Sequence, residues 1–361
     1  MTNITDIQLD RLNSDNFVDQ KDILFDISAS ELRVKLNGKK IVFFTGAGFS
    51  KSWDPSYPLG MSLFTINNYT ELKKKYNFFQ LANDLKITEP DIKSDNFEKD
   101  CYDYFCDIKF HLDIYKRYPS LMPSFLDKTI LHRLEEEMKG FVYEKFKNTV
   151  GIKEFKLNSK LKYNSDMSNL FRKLAVNNNI SFISTNYDYI IEKIFHDFDG
   201  YQLIRGVINN NDFKNKKWNG NKISLFKING GFEVFNDMNG FYIDYYSKDR
   251  TPHIILPSKE QNYDNKYFKS TFIKSAEKLR DAEILIFIGY SMPKEDHTIR
   301  FLLKNFIDCH SNTNKEIFII DKDLSSGIDG PLSKLRILFP SLSDNGIKVL
   351  DGDINTLARV S

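Results

Sequence analysis

The residues best suited to chemistry stand where apolar runs stop. Ile41 to Phe44 runs straight into Thr45-Gly46-Ala47-Gly48-Phe49-Ser50, and four later runs end in Thr185-Asn186-Tyr187-Asp188, Asn229-Gly230-Gly231, Gly289-Tyr290-Ser291 and Asp321. Glycine lets backbone approach a diphosphate within hydrogen-bonding distance, and a helix that follows offers unpaired N–H groups. The G-x-G spacing lacks the third glycine of a dinucleotide fingerprint and the lysine of a P-loop. Alone it fits an ordinary strand–turn–helix as well as a phosphate cradle. Five small or polar run ends in one chain exceed what turn chemistry accounts for, and they point to a pocket.

Such ends need strands to carry them. Runs at Ile41 to Phe44, Ile180 to Thr185, Tyr201 to Val207, Lys222 to Ile228, His253 to Leu256, Glu283 to Ile288, Glu316 to Ile320 and Ile347 to Leu350 predict strands. Helical spacing at Tyr189 to Phe195, Tyr267 to Leu279 and Lys294 to Phe306 separates several of them. The alternation predicts an α/β fold, a Rossmann-like open and mostly parallel sheet with helices on both faces, whose ligand lies beyond the carboxyl ends of the strands. Between the first two strands, residues 62–176 read as helical, with Pro119 and Pro123 as breaks, and predict a large helical insertion suited to a lid or an assembly surface. Residues 1–38 read as an N-terminal helical arm, leaving 39–61 and 177–361 for the sheet domain. The stretch Trp53 to Met61, with Pro55, Pro58 and Gly60, predicts an ordered loop placed to cover a ligand.

Composition narrows the classes. The 361 residues are 41% hydrophobic, enough for a sizeable core, and the 31 Phe and 18 Tyr fall mostly in patterned segments as packing residues. Against 51 Lys and Arg stand 49 Asp and Glu, a net charge of +2 that supplies no general field for nucleic acid or membrane. Lys73-Lys74-Lys75 reads as a solvated face. Cys101, Cys106 and Cys309 are an odd number without a C-x-x-C pair, which predicts free thiols in a reducing compartment and no metal site. No run reaches the ~20 apolar residues of a membrane span, so a soluble cytoplasmic protein is expected. His132, His196, His253 and His310 read as surface or packing residues; His297, beside Asp296, is the histidine placed to approach the pocket.

In order and spacing this set resembles the sirtuin (SIR2) family, and more closely its divergent bacterial SIR2-like branch. The carriers are Gly46-Ala47-Gly48-Phe49-Ser50, Ser184-Thr185-Asn186-Tyr187-Asp188, and Gly289-Tyr290-Ser291 followed by Asp296, Ile299, Arg300 and Leu303. The resemblance implies an NAD+ glycohydrolase that cleaves NAD+ to nicotinamide and ADP-ribose in bacterial anti-phage defence. It implies NAD as the substrate, a homo-oligomer, and an ATPase, nuclease or Argonaute-like defence partner, without direct nucleic-acid binding. It implies cofactor-binding roles for Gly46, Ala47, Gly48, Phe49, Ser50, Pro58, Thr185, Gly289, Ser291 and Asp321, and catalytic ones for Asn186, Asp188 and Asn229.

Two departures stand out. Three scattered cysteines cannot form the family's structural zinc module, which argues against protein deacetylation. The segment Lys227-Ile228-Asn229-Gly230 puts Asn229 where the family carries its catalytic histidine. Asparagine accepts no proton near neutral pH, and losing a general base costs about 10²–10⁴ in rate. Cleavage with oxocarbenium character leaves room for positioning and for Asp188. Three readings of Asn229 stay open: an enzyme using another base, a non-catalytic NAD or ADP-ribose-binding module that regulates a partner nuclease or ATPase, and an inactivating substitution.

Overall fold

In a computed structural model the chain is described over residues 27–66, 68–151, 157, 164–205, 221–238, 240–246, 250–259, 261–293, 296–307, 315–322, 330–342 and 346–360. Most of the expected N-terminal arm, the end of the Tyr201 to Val207 run, His310 and Cys309 lie outside these residues.

Continuous apolar runs make a sheet that is buried on both faces. Strand β1 (Lys40–Thr45) is exposed only at Lys40. Its side chains alternate: Ile41 and Phe43 enter one core, Val42 and Phe44 the other. The same division recurs in β7 (Ile284–Ile288), where Ile284, Ile286 and Ile288 face the first core and Leu285 and Phe287 the second. Phe43 anchors the first core, stacked on Phe182 at 5.2 Å and edge-on to Phe171 at 5.2 Å.

With β2 (Asn179–Ser184), β3 (Tyr201–Ile204), β4 (Asn221–Lys227), β8 (Glu316–Asp321) and β9 (Ile347–Asp351), these form a seven-stranded sheet in the order β3-β4-β2-β1-β7-β8-β9. Every neighbouring pair is parallel. The chain steps outward from β1 on one side and returns to β7 on the other, so the order reverses between β1 and β7. A doubly wound sheet leaves its crevice at such a point. The expected Rossmann-like α/β fold is therefore present.

Helices follow from the spacing. In chain order α1 is Ala29–Leu36, α2 Ala47–Trp53, α3 Tyr69–Lys75, α4 Phe78–Asp84, α5 Phe97–Arg117, α6 Lys128–Val150, α7 Ser165–Asn177, α8 Ile190–Phe195, α9 Lys266–Asp281, α10 His297–Lys304, α11 Pro331–Leu338 and α12 Ile354–Ala358. Helix α5 stops before Pro119; α6 starts at Lys128, where the Asp127 carboxylate caps the Ile130 N–H at 2.7 Å. The long pair α5 and α6 buries Phe105, Leu112, Leu134 and Phe141 in the first core.

One expectation needs correction, and one element was not expected. His253 to Leu256 is not a strand: Ile254 makes only an isolated bridge with Gly230, because Pro252 and Pro257 carry no N–H to extend a ladder. An antiparallel hairpin, β5 (Val234–Asp237) with β6 (Gly240–Ile243), goes unread in the sequence, since neither four-residue segment shows a clean period.

Candidate active site

Three glycines set the floor of the site. Gly46 and Gly48 follow β1 and Gly289 follows β7, so the reversal of strand order brings them together. Gly46 donates its N–H to the Ile288 carbonyl and Gly48 to the Gly289 carbonyl, each at 3.0 Å. A Cβ on Gly289 would lie 2.3 Å from the Gly48 Cα, and one on Gly48 would lie 2.6 Å from the Gly289 Cα. Gly289 also has φ +58°, the left-handed region. No side chain fits at either position.

The end of β2 is tied to this floor. Asn186 donates through Nδ2 to the Gly46 carbonyl at 2.7 Å and to Ser50 Oγ at 2.8 Å, which commits its amide hydrogens and leaves its oxygen. Ser50 donates to Asp188 Oδ2 at 2.5 Å, and the Ile190 N–H donates to Oδ1 at 3.1 Å. Asp188 is 8% exposed. Burial pushes its carboxyl above the usual range, and Lys227, the Ser50 hydroxyl and the Ile190 amide offset only part of this.

Beneath Asp188 lies a buried ion network. Lys227 Nζ donates to the Asp188 carbonyl and meets Glu192 at 2.8 Å and Glu233 at 3.0 Å. Arg205 pairs with Glu192 at 2.7 Å and also with Glu233. Burial draws the Glu233 carboxyl upward, yet Lys227 and Arg205 bring it below the ordinary value; burial prevails at Glu192, which is raised. Two cations thus balance two carboxylates, and the Asp188 backbone rests on one of the cations.

Asn229, at the end of β4, accepts a hydrogen bond through Oδ1 from the Tyr263 hydroxyl at 3.0 Å, and its carbonyl accepts from the Ile255 N–H at 2.9 Å. The Tyr263 hydroxyl also lies 2.7 Å from Gln261 Oε1, and its single proton serves one of these two oxygens at a time. A further pair, Tyr290 to Asp296 at 2.6 Å, stands beside the β7 end.

Several of these groups border one cavity of about 540 Å³. Of the residues singled out in the sequence, Ala47, Gly48, Ser50, Pro58, Thr185, Asn186, Asp188, Asn229, Gly289, Ser291 and Asp321 line it. Gly46 sits behind the lining against Gly289 and Tyr290. Phe49 points away into the core at 1% exposure, 5.8 Å from the Phe171 ring. His297 is exposed at the start of α10 and does not line the cavity. The loop after α2 contributes Leu59, Gly60, Met61, Ser62, Leu63 and Phe64, while Glu98 and Tyr102 of α5 and Phe146 of α6 close one wall.

Sequence reading missed Tyr263, Gln261 and Glu98, and it named Asp296 only as a neighbour of His297 and a carrier of the resemblance, with no role in the site. The first two sit in a loop with no strand end to mark them. Glu98 belongs to a helix whose apolar stripe drew the eye to packing. Among the described residues, the charged side chains lining the cavity are Glu98, Asp188, Asp296 and Asp321, all acidic. No group of His, Cys, Asp and Glu among the described residues is arranged to hold a metal ion.

Residues 180–336 match the family model of a SIR2-like domain. No curated protein matches the sequence significantly. Among solved structures, a Sir2 with a p53 peptide and NAD+ aligns at TM-score 0.43 and 13% identity, over 92% of this chain and 96% of that one. A structure described for the basis of sirtuin substrate affinity aligns at TM-score 0.42 and 14% identity, over 92% and 97%.

Proposed function

We propose that this chain, which carries a SIR2-like domain over residues 180–336, binds NAD+ in the 540 Å³ cavity and is built to cleave the bond between nicotinamide and ribose. One observation carries the reading: Gly48, Gly289, Asn186, Ser50, Asp188 and Asn229 all border a single cavity at the reversal of strand order. The closely packed Gly46, Gly48 and Gly289 give a diphosphate access to backbone. Asn186 and Asp188 orient the nicotinamide ribose and the attacking water, and the loop around Pro58 covers the nicotinamide half. Gly289, Ser291 and Asp321 hold the adenosine half.

The weak point of this machinery is Asn229, whose amide takes no proton. Asp188 is the carboxylate left to serve as base, and its raised pKa suits that task better than an ordinary aspartate would. Replacing Asn229 with His, next to the Tyr263 hydroxyl, is expected to start or raise NAD+ loss, followed by chromatographic release of nicotinamide. If neither the wild-type chain nor Asn229→His consumes NAD+ in any assembly state, the glycohydrolase reading is lost.

A second reading is supported by Asn229 itself, an amide beside the Tyr263 hydroxyl that offers no base at this strand end. In it the cavity binds NAD or ADP-ribose without turnover and regulates a partner nuclease or ATPase. Saturable binding without nicotinamide release separates the two. In either form, resemblance supports a homo-oligomer in bacterial anti-phage defence, acting in the cytoplasm beside an ATPase, nuclease or Argonaute-like partner. Residues 62–176 would then form the insertion module that covers the pocket and carries assembly contacts. No described helix is long and apolar enough to cross a membrane.

A further inference from the structure

The turn that follows β7 departs from ordinary backbone geometry. After Gly289, Met292 also takes a left-handed conformation, with φ +51°. Residues with a Cβ avoid that region, and Pro293 steers the residue before it toward extended backbone instead. Such an outlier persists only where its surroundings hold it. The Met292 side chain, 1% exposed, is fixed in the second core. The ends of the loop are tied as well: the Tyr290 hydroxyl donates to the Asp296 carboxylate at 2.6 Å, and the Arg300 backbone N–H donates to the Asp296 carbonyl at 3.0 Å.

Between those ends the loop is held by cations. Arg300 Nη2 donates to the Met292 carbonyl at 3.1 Å and to the Pro293 carbonyl at 3.0 Å, and Lys334 Nζ donates to the Ser291 carbonyl at 3.0 Å. Three consecutive carbonyls thus face side chains that do not border the cavity, while Ser291 and Pro293 line it. Where the described charged side chains of a cavity are all acidic, carbonyl oxygens turned inward would further repel a diphosphate. Arg300 serves no charge balance of its own. It makes no ion pair among the described residues, and its buried Nε lacks a hydrogen-bond partner. Its helix is a firm base, since Ile299, Leu302 and Leu303 of α10 are buried in the second core.

We propose that Arg300 is a positioning residue for nucleotide binding: it holds the left-handed turn at Met292 and so sets Ser291 and Pro293 in the wall that receives the adenosine half of NAD+. The inference rests on the reading of the cavity as an NAD+ site, and adds to it a residue that touches no ligand. The guanidinium suits the task because its planar fork carries donors in fixed directions. Its charge strengthens both bonds, and bridging two successive carbonyls fixes the peptide planes on either side of Pro293.

The test pairs a ligand-free measurement with titration of the full chain. Hydrogen exchange read by mass spectrometry should be faster over residues 289–293 in Arg300→Met, with β1 and β2 unchanged. In calorimetry, NAD+ and ADP-ribose should bind Arg300→Met roughly tenfold more weakly than wild type, since a displaced wall misplaces what it holds. Arg300→Lys keeps a cation and should recover part of the affinity; it also carries the test if Arg300→Met does not fold. Glycine adopts φ +51° without strain, so Arg300→Met should cost clearly less affinity when introduced into Met292→Gly. A residue that only stabilised the fold would lower the melting temperature in both backgrounds and leave the affinity of the folded chain unchanged. Unchanged exchange over 289–293, wild-type affinity in Arg300→Met, or the same penalty in the Met292→Gly background would overturn the proposal. If the wild type binds neither nucleotide, the NAD+ reading fails and this inference with it; if the wild type binds both and Arg300→Met binds them equally well, only this inference fails.

Discussion

Gly48 donates its backbone N–H to the carbonyl oxygen of Gly289 at 3.0 Å, joining the turns after two adjacent strands that lie far apart in sequence. The contact is possible only while neither residue has a side chain. Gly289→Ala would place a methyl group against the Gly48 backbone and hold an alanine at φ +58°. We expect a loss of at least about 2 kcal/mol in urea unfolding, together with loss of nucleotide binding. Gly140→Ala is the contrast: it lies inside α6 with nothing within 4 Å of its added Cβ, and should stabilise by about 0.5–1 kcal/mol. Equal effects at the two positions would contradict the steric account.

The network under Asp188 makes a second prediction. Lys227→Met removes one of two cations from among Glu192, Glu233 and Arg205, all of them buried. Leaving an unpaired carboxylate there should cost about 3–5 kcal/mol. Adding Glu233→Gln to Lys227→Met removes the surplus negative charge and should restore part of the loss. A double variant no more stable than the single one would show that charge balance is not what Lys227 supplies.

How much of this could be read beforehand follows from the kind of signal each part leaves. Strands β1, β2, β7 and β8 were legible because burial on both faces demands unbroken apolar runs, and their ends showed where side chains change from apolar to small or polar. The ion network was not legible. Lys227 looks like an ordinary strand-end residue, and its partners Glu192, Arg205 and Glu233 come from three other segments with no common spacing. Tyr263 was invisible for the same reason: its bond to Asn229 spans a loop whose sequence dictates neither register nor direction. Phe49 misled because it falls inside the glycine turn, while helix geometry sends its ring to the core.

His253 gives a pH-dependent prediction. Its imidazole is held at about 4 by burial and by Lys139, below the ordinary 6.5. Between these values the unfolded chain binds a proton that the folded chain refuses, so stability falls as pH drops from 6.5 toward 4, by up to about 1.4 kcal/mol per pH unit. His253→Phe keeps a ring between Phe241 and Phe268 and removes the titration. The difference between the two unfolding free energies, measured by urea melts at several pH values, should therefore grow on acidification in favour of the variant. A constant difference would place the proton elsewhere.

Asp188 carries the last prediction, and its sign separates a structural role from a functional one. A carboxylate kept for stability has a lowered pKa in the folded state, because its partners reward ionisation. Asp188 is raised, burial being the largest cause, even with Ser50, the Ile190 amide and Lys227 beside it. Above the unfolded value of 3.8 the folded chain therefore holds the extra proton, and stability declines as pH rises toward the folded pKa. Ionising this group in the folded chain is therefore a net cost to the fold. Asp188→Asn keeps the shape and an oxygen able to accept from the Ile190 amide, and it removes the charge. The variant should be more stable than wild type at pH 7, and the gain should shrink as pH falls toward 3.8. It should also lose whatever NAD+ turnover the wild type or Asn229→His displays. If urea melts show Asp188→Asn to be the weaker fold at pH 7, then the Ser50–Asp188 pair is structural and the base must be sought elsewhere in the cavity.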